Sequence, residues 1–451
     1  MIVAKFGGTS VADATAIRRT ASIIAKRLQR APVVIVSAFS GTTNTLLAAA
    51  EQASDGKLVA ALAQVEGLRD HHLRIAADLL GIGEVASDIA AETSALFDEL
   101  AHLAEALSVL GHATPRAIDA FASMGEQLSA PIIAAAFQQN GIDAVWVDAR
   151  VVIRTDSAFG RAEPRPDAVA AAARERLLPL LTEGRVPVMG GYIGSDSHGI
   201  TTTLGRGGSD YTASLVGAAM DAEAIEIWTD VDGMLTADPR VVKTARLIEH
   251  IRFDEAAELA SFGAKVLHPS TIAPAVRKGI PVFVFNSMKP DGKGTRITFD
   301  APRSPVRAIA GKSNVVVVRV GSPRMLARPG ALRAIFEVFE RNRTSVDVVA
   351  TSEVSVSLTV DDDQHLDAVL ADLRVLGDVG VERGRGIVAL VGAALGESTS
   401  TMATALRAIG DVRLHMLSLS ATGINLTLIV DAAQVAPVMT LLHDAFFPAA
   451  E

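Results

Sequence analysis

At 451 residues, 49% hydrophobic and 4% aromatic, the chain exceeds what one hydrophobic core supports, and two or three Ala/Val/Leu-packed domains are expected. The net charge of -9 comes with no Lys/Arg block, so no nucleic acid or anionic membrane is expected as a partner, and the absence of cysteine excludes disulfides, thiolate metal sites and a cysteine nucleophile. No apolar run reaches the roughly 20 residues of a membrane span and nothing resembles a leader peptide; a cytoplasmic protein is expected.

The first predicted element is a strand over 2–6, which runs into Lys5-Phe6-Gly7-Gly8-Thr9-Ser10 and a helix predicted over 11–30. Glycines let backbone N–H groups approach an anion, and a helix N-terminus adds positive potential. A lysine beside such a turn can neutralise a transferring phosphoryl group. A tight β-to-α turn with a surface lysine reads equally well from these six residues.

Further strands are predicted at 32–37, 144–147, 186–191, 224–228 and 281–285, alternating with Ala/Leu-rich helical stretches up to about residue 300. That alternation is the pattern of a mostly parallel sheet. Residues 51–113 are strand-poor and rich in Ala, Leu and Glu, and read as a helical insertion. Glu126 precedes a helix predicted over 127–137, where the dipole favours an acid; it could also meet a substrate ammonium. The polar groups of 159–164 (FGRAEP) either line a cleft or end a strand.

Residues 201–210 (TTTLGRGGSD) precede a helix predicted over 211–220, which Ser209 or Asp210 would cap. Three threonines and three glycines around an arginine exceed what a cap requires. Such a loop can wrap an anionic substrate, its guanidinium gripping a carboxylate. WTDVDG at 228–233 and ADPR at 237–240 follow a strand end, where open α/β sheets bind ligands. Asp-rich turns also arise from backbone geometry alone. FGAKVLHP at 262–269 places a lysine after a helix predicted over 253–261, and a solvated helix-end lysine is the alternative. No second histidine lies at metal-ligand spacing from His268.

Beyond a linker at 300–307 come a strand (315–320), a helix (330–341), a hairpin (346–349 with 354–360) and a helix (364–376). About 70 residues on, the order recurs, as expected of duplicated modules: strand 387–391, helix 399–408, strands 416–419 and 424–430, helix 433–445. EVSVSLTVD at 353–361 matches GINLTLIVD at 423–431. Each unit has the β-α-β-β-α order of a ferredoxin-like fold.

KFGGTS (5–10), SAFSGTTN (37–44), FASMGEQLSA (121–130), FGRAEP, TTTLGRGGSD, WTDVDG, TADPR (236–240) and FGAKVLHP resemble, in order and spacing, the aspartate kinases. The C-terminal repeat resembles their tandem ACT regulatory domains. This implies an α/β amino-acid-kinase fold over 1–300, with 51–113 as the insertion. Two ferredoxin-like ACT modules would follow at 308–380 and 385–451, with edges that can interleave.

The family transfers the γ-phosphoryl of ATP, with Mg²⁺ held mainly by the ATP phosphates, to the side-chain carboxylate of L-aspartate. A carboxylate is already ionised at neutral pH and needs no general base, which agrees with the absence of a His/Asp dyad in these loops. Positioning and charge neutralisation remain. By resemblance, Lys5 contacts the transferring phosphoryl and the attacking carboxylate, held by Asp210. Gly7, Gly8 and Ser10 cradle phosphate. Arg206 holds the substrate α-carboxylate and Glu126 its ammonium, with Ser37, Thr43, Thr203 and Ser209 nearby. Thr229, Asp230, Leu235, Arg240 and Lys265 face the nucleotide, and no protein metal ligand is implied. Leu235 stands where many relatives carry an aromatic.

The segment SVD…TSEVSV (345–356) resembles the monofunctional, lysine-inhibited branch most. The matching effector positions are Met325, Gly330, Leu332, Ser345, Val346, Asp347, Ser352 and Glu353. Asp347 and Glu353 would meet an ammonium, or are ordinary turn and strand-end charges; the amides after Gly330 would meet a carboxylate. Ala331 and Arg328-Pro329 depart from the lysine-sensitive pattern. A homodimer or higher oligomer through the ACT modules is implied. Acetylglutamate or glutamate 5-kinases would share the sheet but not KFGGTS with GRGGSD and two ACT copies. A non-catalytic amino-acid sensor would not be expected to keep Lys5, Glu126, Arg206, Asp210 and Lys265. With an end at Glu451, no homoserine dehydrogenase part is expected.

Overall fold

Ile2–Phe6 lies between Pro32–Val36 and Ala224–Thr229 and runs parallel to both. These strands are rich in Val and Ile, Lys5 and Glu226 apart, because both faces of a parallel sheet are covered. The computed structural model describes residues 1–205, 207–263, 267, 269–321, 329–352, 354–361 and 365–448. The chain divides into two compact units, Met1–Met234 with Val266–Phe299, and Leu235–Lys265 with Asp300–Glu451.

In the first unit the strands lie in the order Ala144–Trp146, Val186–Gly190, Pro32–Val36, Ile2–Phe6, Ala224–Thr229, Val282–Asn286, Thr295–Thr298. The first six are parallel; Thr295–Thr298, absent from the sequence reading, is antiparallel to its neighbour. Trp228 is fully buried between Phe6 and Phe285, with ring centroids 6.0 and 4.8 Å away. Packing of such aromatics contributes about 0.5–1.5 kcal/mol per pair beyond area burial.

The helix predicted over 11–30 is divided. A 3₁₀ turn, Gly8–Val11, precedes the helix Ala14–Ala25, because the Asp13 side chain caps the latter by accepting from the Ala16 N–H at 2.8 Å. Four long helices follow the second strand: Thr42–Ser54, Leu58–Leu80, Glu84–Leu110 and Pro115–Gln139. They share a core that includes Leu46, Phe97, Leu100, Phe121 and Leu128. Glu126 therefore lies inside a helix, not in its first turn, and the dipole argument does not apply to it. Gly125 belongs there for another reason: a Cβ at that position would stand 2.7 Å from the Ala38 Cβ.

The second unit is built on one antiparallel sheet, ordered Val349–Thr351, Ser355–Val360, Ala308–Gly321, Asp378–Val391, Asn425–Asp431, Met416–Leu419. The strands predicted at 315–320 and 387–391 are parts of two 14-residue strands. Residues 308–313 pair with 386–391, whereas 316–321 pair with 355–360 on one side and 317–321 with 378–382 on the other. A bulge beside Asn314, whose φ is +63°, separates the two stretches. Helices Ala331–Arg341 and Leu366–Leu373 cover one half, and Thr399–Ile409 and Val435–Phe446 the other. Ala237 and Val242 join the latter core, and the buried His443 lies 2.9 Å from the Thr236 hydroxyl, which explains why Leu235–Lys265 packs with this unit. Among the described residues no helix is long and apolar enough to cross a membrane.

Candidate active site

The carboxyl ends of four adjacent parallel strands meet at one cleft of about 770 Å³, wholly within the first unit. Lys5, near the end of the central strand, is almost buried, and its Nζ sits 2.7 Å from Asp210 Oδ1. The helix carrying Asp210 is Gly208–Ala219, and its N-cap is Gly207 with no side-chain cap. Neither Ser209 nor Asp210 is thus the cap that the sequence predicts; the carboxylate of Asp210 is spent on Lys5 instead. Ser209 Oγ lies 3.1 Å from Ser37 Oγ, and the Ser129 hydroxyl donates to the Ser37 carbonyl at 3.0 Å.

Lys5, Gly7, Gly8, Ser37, Thr43, Glu126, Ser209, Asp210, Thr229 and Asp230 all line this cleft. Of the two glycine amides in the turn, that of Gly7 already donates to the Trp228 carbonyl at 3.1 Å. The Thr229 hydroxyl donates to Asp230 Oδ1 at 3.2 Å. Ser10 is buried, and its hydroxyl donates to Ser287 Oγ at 2.8 Å. Thr203 is buried too, and its hydroxyl donates to Asp119.

Leu235 and Arg240 fall in the second unit, where Arg240 is exposed and chelates the Asp238 carboxylate through Nε and Nη2 at 3.0 and 2.6 Å. Arg206, Lys265, Met325 and Glu353 lie outside the described residues. The remaining effector positions are in the second unit. Gly330 precedes the helix Ala331–Arg341, with Leu332 exposed in its first turn. Ser345 and Val346 lead into Asp347, whose Oδ2 is 3.5 Å from Lys312 Nζ. Burial pushes the Asp347 carboxyl up, and Lys312 opposes that. The Ser352 N–H closes a turn on the Ser355 carbonyl.

Glu126 is the electrostatic anomaly of the cleft. Only 4% exposed, it accepts a hydrogen bond from the Ala38 N–H to Oε1 at 3.2 Å. Its Oε2 finds no partner among the described residues. Burial pushes its carboxyl up to about 8, against the pull of the Ala38 amide. A buried acid with one idle oxygen facing a cavity is suited to receive a cation, which would restore its ordinary acidity.

Three residues of this site were not singled out in the sequence. Phe39 lies inside a motif but carries no chemistry to flag it. Tyr192 lines the cleft with φ at +64°, a backbone state that no local pattern announces. Asp119 sits on the Glu126 helix two turns earlier and looks like any surface acid. Gly191, by contrast, has a readable cost: a Cβ there would stand 2.6 Å from Ser209 Cβ and 2.7 Å from Ser209 Cα. Gly191→Ala should therefore displace the start of the Asp210 helix and lower kcat/KM about tenfold or more. Steady-state kinetics beside a thermal melt will measure this; unchanged kinetics would show that the strand end yields instead.

A parallel α/β sheet with an ion-paired lysine and an idle buried glutamate at its carboxyl edge describes a phosphoryl-transfer site for an amino acid. The chain belongs to the amino acid kinase family, whose model matches residues 1–286. Within that family it is one of the aspartokinases: it is 38% identical over 456 residues to lysine-sensitive aspartokinase 3 of Escherichia coli, covering 99% of each chain. The crystal structure of E. coli aspartokinase III with aspartate and ADP (R-state) matches with a TM-score of 0.87 at 38% identity, covering 99% of this chain and 100% of that one. The structure of E. coli aspartokinase III with lysine and aspartate (T-state) matches with a TM-score of 0.82 at 38% identity, covering 99% of both.

Proposed function

We propose that this aspartokinase moves the γ-phosphoryl of ATP onto the β-carboxylate of L-aspartate, yielding 4-phospho-L-aspartate and ADP, with the residue roles that follow. The observation that carries this reading is the pairing of Lys5 with Asp210 at 2.7 Å in the same cleft as the idle oxygen of Glu126. Two anions must be brought together in the reaction, and Lys5 supplies the cation between them. Asp210 fixes the direction of the ammonium without removing its charge. Glu126 takes the substrate ammonium, which orients the β-carboxylate toward Lys5. The Gly8 amide, at the start of the 3₁₀ turn, is placed for a phosphate oxygen, and Thr229 and Asp230 stand on the nucleotide side. No side chain has to remove a proton, because the nucleophile is ionised at neutral pH. Mg²⁺, carried in on the ATP phosphates, would add charge neutralisation there.

Arg206, between Gly205 and Gly207 of the cleft, is assigned to the substrate α-carboxylate, and Lys265 to the nucleotide, both from the family resemblance. Hydroxylamine trapping of the acyl phosphate tests the whole reading. Aspartate should give a hydroxamate and stoichiometric ADP, whereas preference for glutamate or N-acetylglutamate would overturn it.

The division we favour departs from the linear one expected from the sequence: a kinase part of Met1–Met234 with Val266–Phe299, and two ACT modules in the second unit, the inner at about 314–384 and the outer made of 308–313 with the residues after 384, joined through the shared sheet, with dimerisation through those modules. L-Lysine is the proposed effector, supported by the lysine-sensitive relative and by the structure of E. coli aspartokinase III with lysine and aspartate. Titrating lysine, threonine and methionine separately into the hydroxamate assay should show inhibition by lysine at millimolar level or below. A response to threonine alone would reassign the effector.

A further inference from the structure

The Glu126 helix carries a second buried acid on the same stripe, since residues seven apart in a helix share a face. Asp119 is 1% exposed, and both its oxygens are occupied. Oδ1 accepts from the Thr203 hydroxyl at 2.7 Å and the Gly160 N–H at 3.0 Å. Oδ2 accepts from the same Gly160 N–H at 2.9 Å and the Thr203 N–H at 3.0 Å. One carboxylate thus ties two segments together that are distant in the chain.

Both tied segments reach the cleft. Gly160 lines the cleft, as does Gly205, two residues beyond Thr203. The Leu204 N–H, next to Thr203, donates to the Tyr192 carbonyl at 2.9 Å, and the Thr203 side chain opposes the burial that pushes the Tyr192 hydroxyl up. Tyr192 in turn lines the cleft and feels the charge of Glu126, so this corner is the end where the substrate ammonium is received. Charge-assisted hydrogen bonds are about twice as strong as neutral ones, and here two of the three donors are backbone N–H groups, those of Gly160 and Thr203. The two segments keep other ties, including the Ala162 N–H to the Thr203 carbonyl at 2.9 Å and the Thr155–Thr202 hydroxyl pair at 2.8 Å. Loss of Asp119 therefore loosens the corner without detaching it.

We propose that Asp119 is a positioning residue for the amino-acid end of the cleft, acting through Gly160 and Thr203 on Tyr192 and the Gly205 loop. This rests on the reading of the cleft as an aspartate and ATP site, and it separates the two substrates. Asp119→Ala raises KM for aspartate about tenfold, the factor expected for about 1.4 kcal/mol of lost positioning, and leaves KM for ATP within about twofold. Asp119→Asn recovers most of the loss, because its carbonyl oxygen accepts the two N–H groups while its amide faces the Thr203 hydroxyl.

The test measures kcat and both KM values for the full-length wild type, D119A and D119N. Hydrogen exchange is followed in peptides spanning 159–164 and 201–205. The expected result is an aspartate-specific KM rise with faster exchange in those peptides and unchanged exchange in the helix Gly208–Ala219. An equal rise in both KM values, or D119N no better than D119A, would overturn the proposal and leave Asp119 a general fold residue. Should D119A fail to fold, D119N decides: exchange as slow as wild type at 159–164 with aspartate KM nearly kept supports the proposal, and a loss of both substrates' binding rejects it. Wild-type protein that forms ADP with a different amino acid, whose KM rises in D119A, would overturn the aspartate reading while sustaining the positioning role.

Discussion

Lys5→Met is expected to lower kcat by about 10³-fold, the scale of removing a preorganised charge from a developing anion. The lysine is set in a central strand, its backbone in register with Ile35 and Ile227, so the replacement should not unfold the sheet. It does leave Asp210 without its partner at a site where both side chains are little exposed, and an uncompensated carboxylate there is destabilising. The double variant Lys5→Met/Asp210→Asn should regain that stability but none of the rate. Asp210→Asn alone should cost less than Lys5→Met, since the ammonium remains and only its direction is lost. A coupled ADP assay at saturating substrates, beside melts of the three variants, measures both effects. A K5M rate within tenfold of wild type would remove Lys5 from the transfer.

Glu126→Gln should reduce kcat/KM for aspartate about 10²-fold or more, as for truncating one partner of a buried charge pair, with KM for ATP little moved. The pH dependence is the sharper signature. Burial holds the free Glu126 carboxyl at about 8, so below that pH the substrate ammonium must displace a proton in order to bind. Aspartate affinity should then rise with pH up to about 8, and E126Q should flatten that rise. The stability effect has a definite sign. Between the ordinary carboxylate value and about 8 the folded protein holds a proton that the unfolded chain has lost, so stability without substrate falls as pH rises through that window. Melts at pH 6 and pH 8 should differ more for wild type than for E126Q. Saturating aspartate should shrink the wild-type difference, and a difference that E126Q leaves intact would exonerate Glu126.

The chemistry-bearing loops were legible because each strings Gly, Thr, Ser and a charge at a strand end, and strand ends are where a parallel sheet collects them. The pairing of Lys5 with Asp210 followed from resemblance, and the register of Ile2–Phe6 with Ala224–Thr229 closes the distance. What was not legible depends on tertiary choices. Glu126 looked like a helix start because Gly125 usually ends helices; here the glycine is kept for the approach of Ala38. Nothing in KFGGTS announces that the Ser10 hydroxyl bonds Ser287, far along the chain. Thr295–Thr298 is only four residues long and follows Gly294 directly, too short for alternation to show. In the second unit the repeat was visible while its seam was not, because Asn314 in the left-handed region carries one strand through two sheets' worth of pairing.

That shared strand bears on how such a chain can be rearranged. The stretch from Asn314 to Gly384 begins and ends at neighbouring points of the ladder, for Ser313 pairs with Gly386 and Val315 with Arg385. One copy of the repeat is thus nested inside the other, not strung after it. Genetic loss of the inner copy would leave two adjacent strand ends that a short turn can join, with the outer copy's ladder unbroken. Loss of the outer copy takes two separate deletions, because its pieces, 308–313 and the residues after 384, flank the inner copy. A duplication that started in tandem could reach this state only by strand exchange, and after that exchange the two copies are no longer equally dispensable.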